Sequence, residues 1–300
     1  MNTFYAYISC LRPRQWIKNF LIFVPFLFTI SDVWSPGDFN IVTDMLVKLG
    51  LAFIAFCLTV SSVYILNDLK DKKNDAKHPY KKYRPVASGQ VSASMGVGLM
   101  LALCLIGISL MWYIDVLLGG MGILYICLNL LYSFGAKNIV LLDAFLVASG
   151  YIVRTAAGAV LIGVMPSPWL YIVTACAALF IVFGRRYAEL RLYGDTEGSY
   201  RGVLKQYSGP LISQLVNITA AASLLSYTLY TIEADNLPSD HSMLVTVPMV
   251  AFGLFRYLYL LNNSDVSESP ERLIFQDVPL LSTCAVWLVT AILVLWINGV

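Results

Sequence analysis

Charged residues are scarce in this chain of 300 residues. Aspartate, glutamate, lysine and arginine together make up 13% of the sequence, whereas hydrophobic residues make up 58%. Because a soluble domain carries roughly 25% charged residues, the composition excludes an ordinary soluble protein. The long uncharged stretches that result are those of an integral membrane protein.

Paired cysteines and clustered histidines are also lacking. The six cysteines are scattered, no two of them form a CxxC pair, and there are only two histidines. This distribution argues against a disulfide framework and against a zinc site. A cleavable signal peptide is not expected either, because Arg12, Arg14 and Lys18 flank a first apolar segment that simply continues.

Apolar stretches bounded by charge, glycine or proline predict about nine membrane-spanning helices. The first span is the weakest, because Pro25 lies inside it and Lys18 near its start. The expected fold class is therefore all-α, a polytopic membrane protein that forms a single domain over residues 1–300. The predicted spans cover residues 16–34, 46–66, 91–113, 116–134, 139–164, 168–184, 210–232, 243–262 and 278–298.

Basic residues lie almost entirely on one predicted side of the membrane. All of the 20 lysines and arginines except Lys48 and Arg154 belong to the amino terminus or to the loops after the even-numbered spans. By the positive-inside rule this side is cytoplasmic. We therefore expect an integral protein of the cytoplasmic membrane whose two large cytoplasmic loops, residues 67–90 and 184–209, carry the chemistry.

The first of these loops opens with a cluster of acids. On a helix, Asp68, Asp71 and Asp75 share one face because they recur at i, i+3 and i+7. Asn67 begins a second row, at i, i+4 and i+8, through the last two of these. Hard oxygen ligands with room for water and phosphate oxygens indicate a Mg²⁺ site that holds a diphosphate. The alternative is a solvated helix end neutralised by three neighbouring lysines.

Basic residues follow the acids directly, in a loop punctuated by two prolines and a Ser-Gly pair. The candidates for phosphate binding are Lys77, Lys81, Lys82 and Arg84. Arginine suits bidentate contact with phosphate, whereas lysine acts as a movable point charge. The alternative is anchorage at anionic lipid headgroups, which explains the charges but not the two prolines and the Ser-Gly pair among them.

The second loop contains Arg185, Arg186 and Glu189. Arg185 and Glu189 are four residues apart, which suits a short amphipathic helix. For each arginine, membrane anchoring and substrate binding remain equal alternatives.

Within the predicted spans, where ionisable residues are functional candidates by default, Asp143 and Arg154 stand out. Asp143 and Arg154 are 11 residues apart, close to three helical turns, so they share a face. Asp143 lies near the cytoplasmic end, where it could line the same cavity as Asp71. For Arg154, pairing within the helix bundle and contact with a ligand both remain open.

Taken together, these elements resemble the UbiA superfamily of intramembrane prenyltransferases. The sequence NDxxDxxxD at 67–75 is followed by RPxxSG at 84–89. The resemblance is closer to the decaprenyl-phosphate phosphoribosyltransferase branch and extends over nearly the whole chain. The elements that carry it are LRPRQWIKN at 11–19, HPYK at 78–81, Tyr132-Ser133 with Lys137, Arg154 with Ala157-Gly158, RYAE at 186–189, and Pro270-Glu271 ahead of Asp277.

The sequence departs from the superfamily in one motif, and this departure bears on the identity of the donor substrate. Its aromatic prenyltransferases carry a second aspartate-rich motif, DxxxD, in the loop after the sixth span. Here the acids of that loop, Glu189, Asp195 and Glu197, lack this spacing, and five basic residues accompany them. One acidic cluster with a surplus of cations suits a donor that bears an extra phosphate. The resemblance implies that this donor is phosphoribosyl diphosphate.

The resemblance also implies a fold, a reaction and a site. The fold is a UbiA-like bundle around a cytoplasm-facing cavity, and the reaction is Mg²⁺-dependent transfer of 5-phosphoribose to a polyprenyl phosphate. The implied metal ligands are Asn67, Asp68, Asp71 and Asp75, of which the three aspartates are also the catalytic residues. The implied substrate-binding residues are Lys18, Lys77, Lys81, Lys82, Arg84, Tyr132, Lys137, Arg185, Arg186 and Glu189.

The expected partners are phosphoribosyl diphosphate, a polyprenyl phosphate and membrane lipids, without nucleic acid, and a homo-oligomer is left open. Two other functions also remain open. One is an aromatic prenyltransferase with the same fold, against which the absent DxxxD counts. The other is a transporter, which would place ionisable residues at mid-membrane and use paired broken helices.

Overall fold

A computed structural model describes residues 3–77, 81–165, 167–193, 202–263 and 276–298, and within these ranges the chain is almost wholly helical. His78, Pro79 and Tyr80 of the first loop, Asp195 and Glu197 of the second, and Pro270-Glu271 lie outside the described residues. The α-helices are α1 (Thr3–Leu11), α2 (Val24–Leu27), α3 (Phe39–Lys70), α4 (Lys72–Asp75), α5 (Ala93–Ile114), α6 (Val116–Ser133), α7 (Leu142–Leu161), α8 (Pro168–Tyr193), α9 (Gly209–Glu233), α10 (Val247–Asn263) and α11 (Val278–Asn298).

Eight helices in the described part of the chain are long and apolar enough to cross a membrane, namely α3 and α5–α11, with α10 extended back to Ser242. The all-α, polytopic prediction is confirmed. The first predicted span is not among these eight. Its residues form a 3₁₀-helix, Pro13–Phe23, followed by the single turn of α2. A count of nine spans therefore remains a prediction.

The break in this first segment has local causes. Arg12 adopts a left-handed conformation (φ 52°) just before Pro13, and Pro25 provides no backbone N–H. Carbonyls at the end of this segment accept side-chain donors: the Trp34 indole N–H donates to the Phe26 carbonyl at 3.0 Å, and the Thr29 hydroxyl donates to the Pro25 carbonyl at 3.0 Å. Irregular backbone at membrane depth is tolerated when it is covered by protein in this way.

Small residues allow the helices around this segment to approach closely. A Cβ on Gly158 of α7 would lie 1.9 Å from the Ile22 carbonyl oxygen, so α7 lies directly against the backbone of the 3₁₀-helix. A Cβ on Gly107 of α5 would lie 2.5 Å from the Thr59 hydroxyl of α3. Such contacts between small residues are the usual means of helix association in a membrane.

Two apolar cores support the candidate site. One surrounds Phe56 and joins α3, α5, α6 and α7, and the other surrounds Phe183 and joins α8, α9 and α10. The ends of α3, α6 and α8 and the start of α7 meet at one end of the bundle. Among the described residues of the two loops, Asp68, Asp71 and Arg84 form ion pairs there, and so do Arg186 and Glu189.

Candidate functional site

Asp68 and Asp75 converge on one arginine. Asp68 lies near the end of α3 and is 3% exposed, and Asp75 ends the short helix α4. Arg84 Nη1 donates to Asp68 Oδ1 at 3.1 Å and to Asp75 Oδ2 at 2.7 Å. Arg12 donates to the same oxygen of Asp68 from the other side. The predicted shared face thus exists for these two acids, and two guanidinium groups occupy it.

Asp71 has a different partner. The helix α3 ends at Lys70, and Asp71 leaves the regular helical conformation (φ −90°, ψ 8°). Both of its carboxylate oxygens accept hydrogen bonds from Lys137 Nζ, at 2.8 and 3.0 Å. Its side chain is 33% exposed, far more than that of Asp68. The break at Asp71 therefore divides the predicted row of acids into a buried pair and a more accessible single carboxylate.

Asn67 joins α3 to the end of α6. The Ser133 hydroxyl donates to Asn67 Oδ1, and Lys70 Nζ donates to the Ser133 carbonyl. Lys70 Nζ also lies 3.8 Å from the centroid of the Phe134 ring. Neither Lys70 nor Lys72 nor Lys73 forms an ion pair in the described part of the chain. The acids are neutralised instead by Arg12, Arg84 and Lys137, which come from other segments.

These residues are better suited to bind a metal ion together with a substrate phosphate than to bind a metal ion by themselves. Among the described residues, no three acids, histidines or cysteines are grouped closely enough to hold a metal by themselves. Mg²⁺ commonly binds through one or two carboxylates and completes its shell with water and substrate phosphate. Asn67 and Asp71, one helical turn apart, supply such hard oxygens, and Asp71 is accessible.

A second ionic cluster forms where α8 meets α7. Arg186 Nε donates to Asp143 Oδ2 at 3.0 Å, and Arg186 Nη1 donates to Glu189 Oε2 at 3.0 Å. Arg185 Nε donates to Glu189 Oε1 at 3.2 Å. Arg186, Asp143 and Glu189 are all buried. The predicted short amphipathic helix is thus the last part of α8 itself.

Tyr207 connects this cluster to the first one. Its hydroxyl donates to Asp143 Oδ1 at 2.8 Å and accepts from the Leu141 N–H at 2.7 Å. Burial, assisted by the neighbouring Asp143 carboxylate, raises the pKa of Tyr207 to about 12. The hydroxyl therefore remains a donor at neutral pH. Leu141 ends the short connection that also carries Lys137, so this connection contacts both clusters.

Arg154 is paired within the bundle, one of the two possibilities that the sequence left open. Its Nε donates to Asn19 Oδ1 at 2.6 Å and its Nη2 to the Tyr125 hydroxyl at 3.0 Å. It lies about 16 Å deeper along α7 than Asp143, at a rise of roughly 1.5 Å per residue. Asp143 pairs with Arg186, and a cavity that Asp143 shares with Asp71 stays a prediction.

The remaining predicted residues surround the two clusters less closely. Lys77 and Lys82 are exposed, whereas Lys81 and Tyr132 are half-buried. Lys18 belongs to the 3₁₀-helix, with Nζ 6.0 Å from the centroid of the Tyr151 ring. The structure thus groups Asn67, Asp68, Asp71, Asp75, Arg84 and Lys137 at one cluster and Arg185, Arg186 and Glu189 at the other. Their roles in binding remain predictions.

Sequence reasoning did not assign Arg12, Ser133 or Tyr207 to the site. Arg12 and Ser133 both lie in elements that carry the family resemblance, and that position could have indicated a role in the site. Tyr207 had none, because its hydroxyl acts on Asp143, 64 residues earlier in the chain.

Comparison with known proteins identifies the family. The chain matches the UbiA prenyltransferase family over residues 22–278. It is 30% identical to the decaprenyl-phosphate phosphoribosyltransferase of Mycolicibacterium smegmatis, over 94% of this chain and 90% of that protein. Identity with the enzyme of the same name from Corynebacterium glutamicum is 31%, over 97% of this chain and 86% of that protein.

Solved structures show the same fold. A UbiA homolog from Archaeoglobus fulgidus bound to DMAPP and Mg²⁺ aligns with a TM-score of 0.71 at 14% identity, covering 97% of this chain and 99% of that one. The same homolog bound to GPP and Mg²⁺ gives a TM-score of 0.69. The two relatives that are 30% and 31% identical to this chain are named as transferases, which counts against the transporter alternative. This chain is an all-helical integral membrane transferase and belongs to the UbiA prenyltransferase family.

Proposed function

We propose that this enzyme transfers 5-phosphoribose from phosphoribosyl diphosphate to a polyprenyl phosphate and releases diphosphate. The observation that carries this proposal is the identity of 30% and 31% with two decaprenyl-phosphate phosphoribosyltransferases over nearly the full chain. The likeness to prenyl-diphosphate-binding structures, at 14% identity, supports the fold alone.

The charges of the site support the same donor. Five basic side chains, Arg12, Arg84, Lys137, Arg185 and Arg186, lie in the two clusters. The donor brings a diphosphate and a 5-phosphate, and the acceptor brings another phosphate, so the two substrates repel each other. Basic residues that hold these groups close together would supply the proximity that the reaction needs.

The reaction itself is a substitution at the ribose carbon. An acceptor phosphate oxygen forms a bond to C1 of the ribose while the bond from C1 to the diphosphate breaks, and the electron pair leaves with the diphosphate. A phosphate monoester has a second pKa of about 6, so the acceptor is already anionic and needs no strong general base. Mg²⁺ held by Asn67, Asp71 and their acidic neighbours would neutralise the charge that develops on the leaving diphosphate.

The proposal extends to the location of the site. The basic loops support a site on the cytoplasmic side of the cytoplasmic membrane, where a soluble donor can enter. A polyprenyl tail has no solubility in water, so the acceptor would approach from the lipid between helices. The length of the tail is left open.

The test is an assay with purified protein, radiolabelled phosphoribosyl diphosphate and polyprenyl phosphates of several lengths. Label should appear in the lipid fraction, together with free diphosphate, and should depend on a divalent metal. If the protein did not turn over this donor but consumed a prenyl diphosphate in the presence of an aromatic acceptor, the aromatic prenyltransferase alternative would replace this proposal.

A further inference from the structure

We infer that Lys137 and Arg84 act as resident counter-ions of the metal-binding acids and transfer to the diphosphate when the metal arrives with it. This inference deepens the proposed function and concerns the diphosphate end of the donor. Its basis is that each aspartate of residues 68–75 bonds a cation from another segment: Asp71 bonds Lys137 at 2.8 Å, and Asp75 bonds Arg84 at 2.7 Å.

The first cluster is electrically balanced without a substrate. Three carboxylates, Asp68, Asp71 and Asp75, face three cations, Arg12, Arg84 and Lys137. A metal ion alone would have to displace these cations and leave them unpaired in a partly buried site, which is costly. A metal–diphosphate complex supplies a new partner to both sides, because the metal takes the carboxylates and the phosphate oxygens take the cations. The two ligands should therefore bind cooperatively.

The three cations differ in their freedom to move. The side chains of Lys137 and Arg84 are 27% and 31% exposed, and that of Arg12 is 23% exposed. Lys137 lies on the short connection between α6 and α7, and Arg84 on the longer one between α4 and α5. Arg12 has a further contact that holds it to α3, because its guanidinium carbon lies 4.9 Å from the centroid of the Tyr64 ring. Lys137 and Arg84 are thus the cations that transfer, and Arg12 stays with Asp68.

The Lys137–Asp71 pair offers the cleanest test because, within the described ranges, each of the two side chains makes one ionic interaction. Lys137→Met keeps the length of the side chain and removes the charge. Binding of Mn²⁺ alone, followed by its electron paramagnetic resonance signal, should tighten about fivefold because the Asp71 carboxylate is released. Binding of inorganic diphosphate in the presence of saturating Mn²⁺ should weaken about tenfold because one charge-assisted contact is lost.

Two further variants serve as controls. Lys73→Met removes an exposed lysine of the same segment and should change neither affinity. Lys137→Arg retains the charge, so its affinity for Mn²⁺ should stay near that of the wild type. In an Asp71→Asn background, Lys137→Met should no longer tighten Mn²⁺ binding, because there is no longer a carboxylate for which the two cations compete.

An unchanged or weaker Mn²⁺ affinity in Lys137→Met would overturn the inference, even if diphosphate binding fell, since Lys137 would then be only a phosphate contact. The probes lack ribose, so the result does not depend on the identity of the donor. If the donor proved to be a prenyl diphosphate, the proposed function would fail while this inference stood. Conversely, phosphoribosyl transfer without the rise in Mn²⁺ affinity would refute the inference alone.

Discussion

At the scale of single residues, the site depends on which cation each acid contacts. The sequence predicted that three acids share one face, but the structure separates a buried pair on Arg84 from the accessible Asp71. The two kinds of position should respond differently to substitution. Loss of Asp71 should affect turnover, whereas loss of Arg84 should affect both donor binding and stability.

Asp71→Asn keeps the size of the side chain and one oxygen but removes the charge. An ion pair of this exposure contributes about 0–1 kcal/mol, so thermal unfolding in detergent should hardly change. Turnover should fall on the order of 10²-fold, with partial recovery when Mg²⁺ is raised or Mn²⁺ is supplied. Steady-state rates over a metal titration measure this. Near-normal turnover at limiting Mg²⁺ would show that the carboxylate is a solvated surface group.

Among the described residues, Arg84→Ala removes the only basic partner of Asp75 and one of the two basic partners of Asp68. Breaking a buried ion pair from one side leaves an uncompensated charge, so unfolding should become easier by on the order of 3 kcal/mol. The KM for phosphoribosyl diphosphate should also rise about tenfold. Arg14→Ala, which removes an exposed arginine, is the matched control. Equal behaviour of the two variants would contradict the role of Arg84.

At the scale of helices and connections, the length of the apolar runs was enough to predict the positions of the long helices. The eight long helices lie where the sequence predicted them, because a membrane requires continuous apolar segments of nearly fixed length. Pro25 marked the first segment as the weakest predicted span, but its 3₁₀ form was not predicted: a left-handed Arg12 precedes it, and α7, far away in sequence, covers its backbone. The pairing of Asp143 with Arg186 and Tyr207 was not predicted either, because it depends on how three segments far apart in sequence meet.

Gly158 should tolerate no side chain. In Gly158→Ala the new methyl group would meet the Ile22 carbonyl oxygen at 1.9 Å, which requires movement of the backbone. We expect a loss of about 3 kcal/mol in stability, measured as a lower midpoint of thermal unfolding in detergent. Gly120→Ala is the control, since a Cβ there has no neighbour within 4 Å. Similar midpoints for both variants would contradict the close approach of α7 to the 3₁₀-helix.

Tyr207→Phe should reveal the connection between the two clusters through pH. The wild-type hydroxyl has its pKa raised to about 12, so its stabilising contribution is complete below pH 10 and declines as pH rises towards 12. The variant should be less stable by about 1–3 kcal/mol at neutral pH. This difference should shrink above pH 10, because only the wild type has a hydroxyl to ionise there. A constant difference across pH 8–12 would contradict the assignment.

At the scale of the whole molecule, the asymmetry of charge predicts the orientation. Single cysteines at Lys73 and Asp38, in a background without the six native cysteines, would report the two sides of the membrane. An impermeant thiol reagent applied to intact cells should label Asp38→Cys and spare Lys73→Cys. After the membrane is opened, both should react. Labelling of Lys73→Cys alone in intact cells would invert the topology.

The contact between the 3₁₀-helix and α7 also constrains the order of assembly during synthesis. Arg154 bonds Asn19 across 135 residues of sequence, and Gly158 lies against the Ile22 carbonyl. A ribosome adds about 5–20 residues per second, so on the order of ten seconds separates the synthesis of the two partners. During that interval the amino-terminal segment has no α7 to cover its irregular backbone. The segment made first can therefore contact α3 early, through Arg12 with Asp68 and Trp16 with Ser61, but its backbone is covered only after α7 has entered the membrane.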